Sequence, residues 1–257
     1  METTFTYENI WKELELPESI NGTIEKNQSP EKLTDLAMII ETSRRLQDLY
    51  HTIVNARFNF AISCADQYPH LLEENTERNV SKVKCMFLNN AIMWYNNTFD
   101  HLLQVIWVYY GLFINRGVAS KIRTSNLDKI LSSCNYDSMK TMGKGVVPST
   151  LLNSIDTIYL SDNYRRIRNW ANIIKHRSCL EYVELSKREA GVYISVKCEN
   201  GQSAWDAFKA GGQEEYNSKK AKQRRQTSIK DVSQALLSYH KELISLTNTV
   251  YKCLYEV

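Results

Sequence analysis

The C-terminal segment carries the pattern that most restricts how this chain can fold. Apolar or aromatic residues recur there at alternating spacings of three and four: Ile229, Val232, Leu236, Tyr239, Leu243, Leu246, Val250, Cys253 and Val257. Positions at this spacing share one face of an α-helix. Ser228 and Asp231 resemble a capping box at its start, with Asp in place of the usual Glu. A helix with so long an apolar face must bury it against other helices.

The same chain supplies partners for this C-terminal helix. Apolar spacing predicts one long helix over residues 31–66 and a second over residues 80–115. The polar stretch 73–79 separates the two. A self-associating coiled coil would also cover the C-terminal stripe, but partners within the chain favour an intramolecular bundle.

A further helical segment follows in the middle of the chain. Ser149 can cap its start, Ser161 or Asp162 can begin a fresh turn within it, and it ends near His176. With only 9 Gly and 4 Pro, the sequence has too few turn residues for a many-stranded β fold. The sequence therefore predicts a mainly α protein, an up-and-down bundle of four to five helices.

The predicted organisation is one helical domain with an arm in front of it. Residues 1–30 are expected to form the arm, with a short helix around Phe5–Leu14, and residues 31–257 the bundle. A short helix is expected near Leu127–Cys134, followed by a loop through Pro148.

Two segments near the C-terminal helix depart from the helical pattern. Residues 192–199 alternate apolar and polar side chains, and Asn200-Gly201 is a strong hairpin signal. We therefore expect a small β-hairpin or meander insertion at 180–206. Residues 211–226 carry five basic side chains and no apolar period, which predicts a mobile, solvated loop.

Composition limits the compartment and the cofactors. The longest apolar run, Leu102–Ile114, is too short to span a bilayer, and no secretory signal is apparent. The six cysteines are scattered, without zinc spacing or a C-x-x-C pair, which favours reduced thiols. We expect a cytoplasmic protein with no membrane segment, no metal and no cofactor. The net charge of +3 is too small to indicate nucleic-acid binding by itself.

One helical stretch, Tyr164–Arg177, concentrates residues that could carry chemistry. On a helix, four polar residues fall on the face opposite its apolar residues: Arg165, Asn169, Asn172 and His176. Arg168 lies roughly 60° away from this stripe. A guanidinium can hold a phosphate, an imidazole can move a proton, and an amide can orient either group. Metal-free RNA cleavage needs no more than these parts, but a solvated face of an amphipathic helix has the same composition.

This stretch resembles the HEPN superfamily of helical domains. The HEPN signature is an Arg followed by a polar residue, with a His several positions later. Arg168-Asn169 and His176 match it, with seven residues between the Arg and the His. The stretch Tyr95–Trp107 is similar to the long earlier helix of such domains, where an acidic residue precedes an apolar run. The resemblance covers residues 31–177 and the final helix.

The resemblance implies a homodimer in which two protomers form a composite site that cleaves RNA without a metal. His176 would transfer the proton, Arg168 would hold the phosphate, and Asn169 and Asn172 would orient them. The candidate substrate-binding residues on the same segment are Arg165, Lys175 and Arg177. Asp100 and His101 of the earlier helix could face this stripe and complete a polar groove, or belong to a buried hydrogen-bond network or a surface face. Expected partners are RNA or a nucleotide and an antitoxin-like protein, in a toxin–antitoxin or phage-defence system. Because some relatives have lost catalysis, a non-catalytic dimerisation or regulatory module is the alternative.

Overall fold

The computed structural model describes residues 5–17, 33–113, 130–177, 180–185 and 226–255. Within these residues lie seven α-helices: α1 Tyr7–Glu13, α2 Leu33–Ser63, α3 Glu77–Tyr109, α4 Tyr136–Gly143, α5 Ser149–Leu160, α6 Asp162–Arg177 and α7 Ile229–Tyr255. The same residues contain no β-strand, only an isolated parallel bridge between Tyr182 and Thr227. The predicted mainly α class is confirmed.

Helices α2 and α3 form a long antiparallel pair. Near the start of α2, the Arg45 guanidinium lies 3.3 Å from the Gln104 side-chain oxygen near the end of α3. At the opposite end, Asp66 lies just beyond α2 and approaches Lys84 near the start of α3. The apolar periods of both helices meet in one continuous core, because their inward side chains are buried together.

Helix α7 packs within the molecule, as predicted. Along its stripe Val232, Leu236, Tyr239 and Leu243 are buried, and the helix contacts α3, α5 and α6. At its start, the Ser228 hydroxyl accepts a hydrogen bond from the backbone N–H of Asp231 at 3.0 Å. The C-terminal apolar stripe is therefore a core element of a single chain.

The prediction of four to five helices is wrong, because the described residues hold seven. The helical segment after Ser149 divides at Ser161, whose backbone is extended. Glu242 of α7 secures this break by accepting hydrogen bonds from the Ser161 hydroxyl at 2.9 Å and the Asn163 amide at 2.7 Å. The break lets α5 and α6 pack separately against α7.

Helix α4 lies where a loop was expected. The Asn135 side-chain oxygen accepts a hydrogen bond from the backbone N–H of Ser138 at 2.9 Å, which satisfies a free donor of the first turn. Met139 is completely buried and anchors the helix to the core. Eight residues with one fully buried apolar side chain give too weak a period to recognise in the sequence.

The N-terminal helix is docked on the core. Ile10 and Leu14 are completely buried. The Arg57 guanidinium lies 3.8 Å from the centre of the Trp11 ring and donates to the Trp11 carbonyl at 3.1 Å. The expected short helix in the arm is confirmed, and its residues belong to the same core as the bundle.

Most of the predicted insertion lies outside the described residues, as does nearly all of the basic loop 211–226. Of the insertion, only residues 180–185 are described. They form the bridge from Tyr182 to Thr227 and a 3-10 turn at Val183–Leu185, with no strand. No helix in the described part of the chain is long and apolar enough to cross a membrane.

Candidate functional site

Helix α6 buries one face and exposes the other. Tyr164, Ile167 and Ala171 are buried, and the helix contacts α3, α5 and α7. The four polar residues of the predicted stripe are all exposed: Arg165, Asn169, Asn172 and His176. We call these four residues the outer stripe. The alternation of buried and exposed positions follows from the helical period of a partly apolar sequence.

The side chains of the outer stripe make no hydrogen bond or ion pair with any described residue. Its helix carries five Arg or Lys residues and one acidic residue, Asp162 at its start. Since opposite charges are scarce on the helix itself, its exposed face presents an excess of positive charge to solvent. Such a face can attract phosphate groups.

Arg168 and Lys175 lie on the side of α6 that faces Asp100 of α3. The Arg168 guanidinium donates a hydrogen bond to the Tyr164 phenol at 2.8 Å. Asp100 is exposed at the surface, but neighbouring protein atoms partly desolvate its carboxylate and raise its pKa, and the positive charges of Arg168 and Lys175 oppose that rise. Arg177 ends the helix, and its side chain lies outside the described part of the structure.

The structure does not bring Arg168 and His176 together within one protomer. Eight positions separate them, which corresponds to about 12 Å along the helix axis and roughly 80° around it. Arg168 is held by Tyr164, whereas His176 is exposed and has no hydrogen-bond partner among the described residues. A single protomer therefore does not place these two side chains at one phosphate.

Asp100 and His101 point to different helices. The charges that act on His101 are those of Asp48 and Arg45 of α2 and of Asp100, and Arg168 is not among them. The His101 Nδ1 atom is buried without a hydrogen-bond partner among the described residues, and burial lowers the pKa of the imidazole. Of the two residues, only Asp100 adjoins α6.

The histidine with the most defined surroundings is His240, to which the sequence assigned no functional role. His240 of α7 is buried, with Nδ1 at 2.9 Å from the Tyr95 hydroxyl and Nε2 at 2.8 Å from the Glu15 carbonyl oxygen. A carbonyl can only accept, so Nε2 carries the proton and Nδ1 accepts from Tyr95. Burial lowers the pKa of His240 to about 4. The sequence signal for this buried histidine is its position directly after Tyr239, a member of the apolar stripe of α7.

An aromatic cluster supports α6 from beneath. The Tyr164 ring lies 4.7 Å from Phe99, 5.4 Å from Tyr159 and 6.1 Å from Tyr239, measured between ring centres. Tyr239 is fully buried, and its hydroxyl has no hydrogen-bond partner among the described residues. Arg168 rests on this cluster through Tyr164, which fixes the inner side of α6 in place.

Two clefts in the described part of the chain lie away from α6. One of about 720 Å³ is lined by His240, Lys12 and Lys241, between α1 and α7. Another of about 810 Å³ lies where α2 ends and where α3 and α7 begin. No cluster of three or more His, Cys, Asp or Glu residues that could hold a metal occurs in the described part of the chain.

Comparisons of this chain with protein-family profiles, with curated proteins and with solved structures find no match.

Proposed function

We propose that this chain is a HEPN-like cytoplasmic protein that binds RNA or a nucleotide through the exposed face of α6. The observation that carries the proposal is the outer stripe. It combines Arg165, two amides and His176 on one solvent-facing surface, and none of these side chains is engaged by another described residue. A surface of this charge and composition suits the phosphate backbone of a nucleic acid.

The proposed protein acts as a homodimer built on a helical bundle. Because Arg168 and His176 diverge within one protomer, a phosphate could meet both groups only if a second copy brings its own α6 alongside. In such a dimer His176 of one copy transfers the proton, and Arg168 stabilises the phosphate. Asn169 and Asn172 orient the pair, and Arg165, Lys175 and Arg177 add positive potential. The reaction is then metal-independent RNA cleavage.

A second candidate function is a non-catalytic dimerisation or regulatory module, with an antitoxin-like protein as one partner. The arrangement of Arg168 favours it. That guanidinium already donates to Tyr164 and lies beside Asp100, so its positive charge is partly offset within the chain. In this alternative the outer stripe forms hydrogen bonds across a protein interface instead of binding RNA.

RNA binding is tested by titrating the protein into fluorescein-labelled single-stranded RNA and following anisotropy. We expect Arg165→Gln to weaken binding about fivefold at physiological salt, because one phosphate contact is lost. The matched control is Arg44→Gln, which neutralises an exposed arginine on α2. Equal affinities for the two variants would refute binding through α6.

Cleavage is tested with the same RNA in EDTA, comparing the wild-type protein with His176→Ala. Loss of cleavage in the variant, with RNA binding retained, supports the catalytic form of the proposal. Equal traces of cleavage from both proteins eliminate it. Light scattering of both samples reports whether a dimer is present.

A further inference from the structure

The cleft of about 810 Å³ lies at the start of α3, away from the end that contacts α6. Helix α2 ends there, and α3 and α7 both begin there. Lys84 in this cleft is sixteen positions from Asp100, or about 24 Å along α3. The cleft is therefore separate from the α6 face, and its volume suits a small molecule.

The inner wall of the cleft carries an ammonium and two hydroxyls that have no close hydrogen-bond partner among the described residues. The Lys84 side chain is only 20% exposed, and its nearest carboxylate, Asp66, is 4.0 Å away and 81% exposed. Ser233 is 2% exposed and lines the same cleft, and its hydroxyl has no hydrogen-bond partner among the described residues. Ser81 adds a second hydroxyl without a described partner. Because its nearest carboxylate is 4.0 Å away, the partly buried Lys84 ammonium can still donate charge-assisted hydrogen bonds to an anion.

Apart from Asp66, no described residue forms an ion pair with Lys84. Cys64 lies on the same wall, but burial raises the pKa of its thiol to about 11, so the sulfur is uncharged at neutral pH. The Ser63 hydroxyl donates to the Phe60 carbonyl at 2.6 Å and is already engaged. The donors of Lys84, Ser81 and Ser233 are thus left for a ligand.

The rim of the cleft carries a net negative charge. Three carboxylates and one ammonium line it, and all are exposed: Asp66, Glu77, Glu184 and Lys230. Glu184 accepts a hydrogen bond from the first backbone N–H of α7, on Ile229, at 2.9 Å. Three carboxylates at the mouth repel a polyanion such as RNA and attract a cationic group.

We infer that this cleft binds a small zwitterion, with its anionic head on Lys84, Ser81 and Ser233 and its cationic amine at the acidic rim. The anion pairs with the Lys84 ammonium, whose nearest carboxylate is 4.0 Å away, and the amine faces Asp66, Glu77 and Glu184. A carboxylate and a phosphate would both satisfy the inner donors. The ligand class is therefore an amino acid or an aminoalkyl phosphate.

Isothermal titration calorimetry on the full chain tests this site with two probes, L-lysine and phosphoethanolamine. Whichever probe binds identifies the head group as carboxylate or phosphate. Acetate and methylammonium, each with one charge, should bind at least about tenfold more weakly than the zwitterion, because each loses one half of the charge pairing. Failure of both zwitterions to bind at millimolar concentration would overturn the inference.

Variants locate the site. Lys84→Met should weaken binding of the zwitterion at least about tenfold and Ser233→Ala about threefold, since a charged and a neutral hydrogen bond are lost in turn. The matched control is Lys82→Met, which replaces an exposed lysine of α3 outside the cleft. This variant should bind the zwitterion as the wild type does. Ser233→Ala serves if Lys84→Met fails to fold. Equal binding by all folded variants contradicts the site, and RNA binding through α6 should be unchanged in each.

Discussion

Two histidines of this protein occupy opposite environments. His176 lies on the outer stripe of α6, exposed and without a hydrogen-bond partner among the described residues. His240 lies under α1, buried and bonded through both ring nitrogens to Tyr95 and Glu15. His176 is accessible to a ligand, whereas both ring nitrogens of His240 form hydrogen bonds within the fold. Residue type alone therefore does not reveal which histidine carries function.

The largest expected difference between the two histidines is in stability. We expect His240→Ala to lower the free energy of unfolding by about 3 kcal/mol, because it opens a cavity and leaves the buried Tyr95 hydroxyl unpaired. His176→Ala should change it by less than about 0.5 kcal/mol, as is usual for an exposed position. Urea unfolding followed by circular dichroism measures both. Equal losses in the two variants would contradict the contrast.

The pH dependence of stability should also report His240. Its pKa falls from 6.5 to about 4 on folding, so its contribution is fully present above pH 6.5 and decreases as the pH falls toward 4. The full contribution is about 3 kcal/mol. We expect His240→Gln to lose less stability than the wild type between these pH values. If the unfolding free energy of both proteins changed equally with pH, the conclusion that His240 is buried in its neutral form would be contradicted.

The fold was predictable wherever the apolar period was long. Residues 31–66, 80–115 and the C-terminal stripe predicted α2, α3 and α7, because a helix of many turns repeats its period often enough to be recognised. Helix α4 was missed because its position depends on the Asn135 cap and on the burial of Met139. Such tertiary contacts leave little trace in the sequence.

The candidate site was predictable only in part. Helical spacing placed the outer stripe on one exposed face, because that depends on the period alone. It did not reveal that Asp100 and His101, neighbours in sequence, adjoin different helices. Nor could it show that Arg168 is held by Tyr164, since that contact depends on how α6 packs against the aromatic cluster.

Tyr95, whose phenol donates to His240, allows a second comparison of stability between two buried hydroxyls. Tyr95→Phe should cost about 1.5 kcal/mol of unfolding free energy, because the His240 Nδ1 loses its donor. Tyr239→Phe is the matched control, since that buried hydroxyl has no partner among the described residues. Its removal should be neutral or stabilising. Thermal unfolding measures the stability of both variants. An equal loss of stability would mean that packing, and not the hydrogen bond to His240, accounts for the effect.

The smallest expected effect concerns the acidic neighbour of α6. Asp100→Asn removes a negative charge beside Arg168 and Lys175, so RNA affinity should rise about twofold to threefold at low salt. The fold should be unaffected or slightly stabilised, because a partly desolvated carboxylate is replaced by a neutral amide. Fluorescence anisotropy at two salt concentrations measures the change. Weaker binding would instead assign Asp100 a direct part in holding RNA.

The central claim is that the outer face of α6 meets phosphate groups. The most direct measurement is the dependence of RNA affinity on salt concentration for the wild type, Arg165→Gln and Arg44→Gln. The slope of log affinity against log salt should decrease in magnitude by about one unit for Arg165→Gln, because one phosphate contact and its released counterion are lost. It should be unchanged for Arg44→Gln. Identical slopes for all three proteins would contradict the claim.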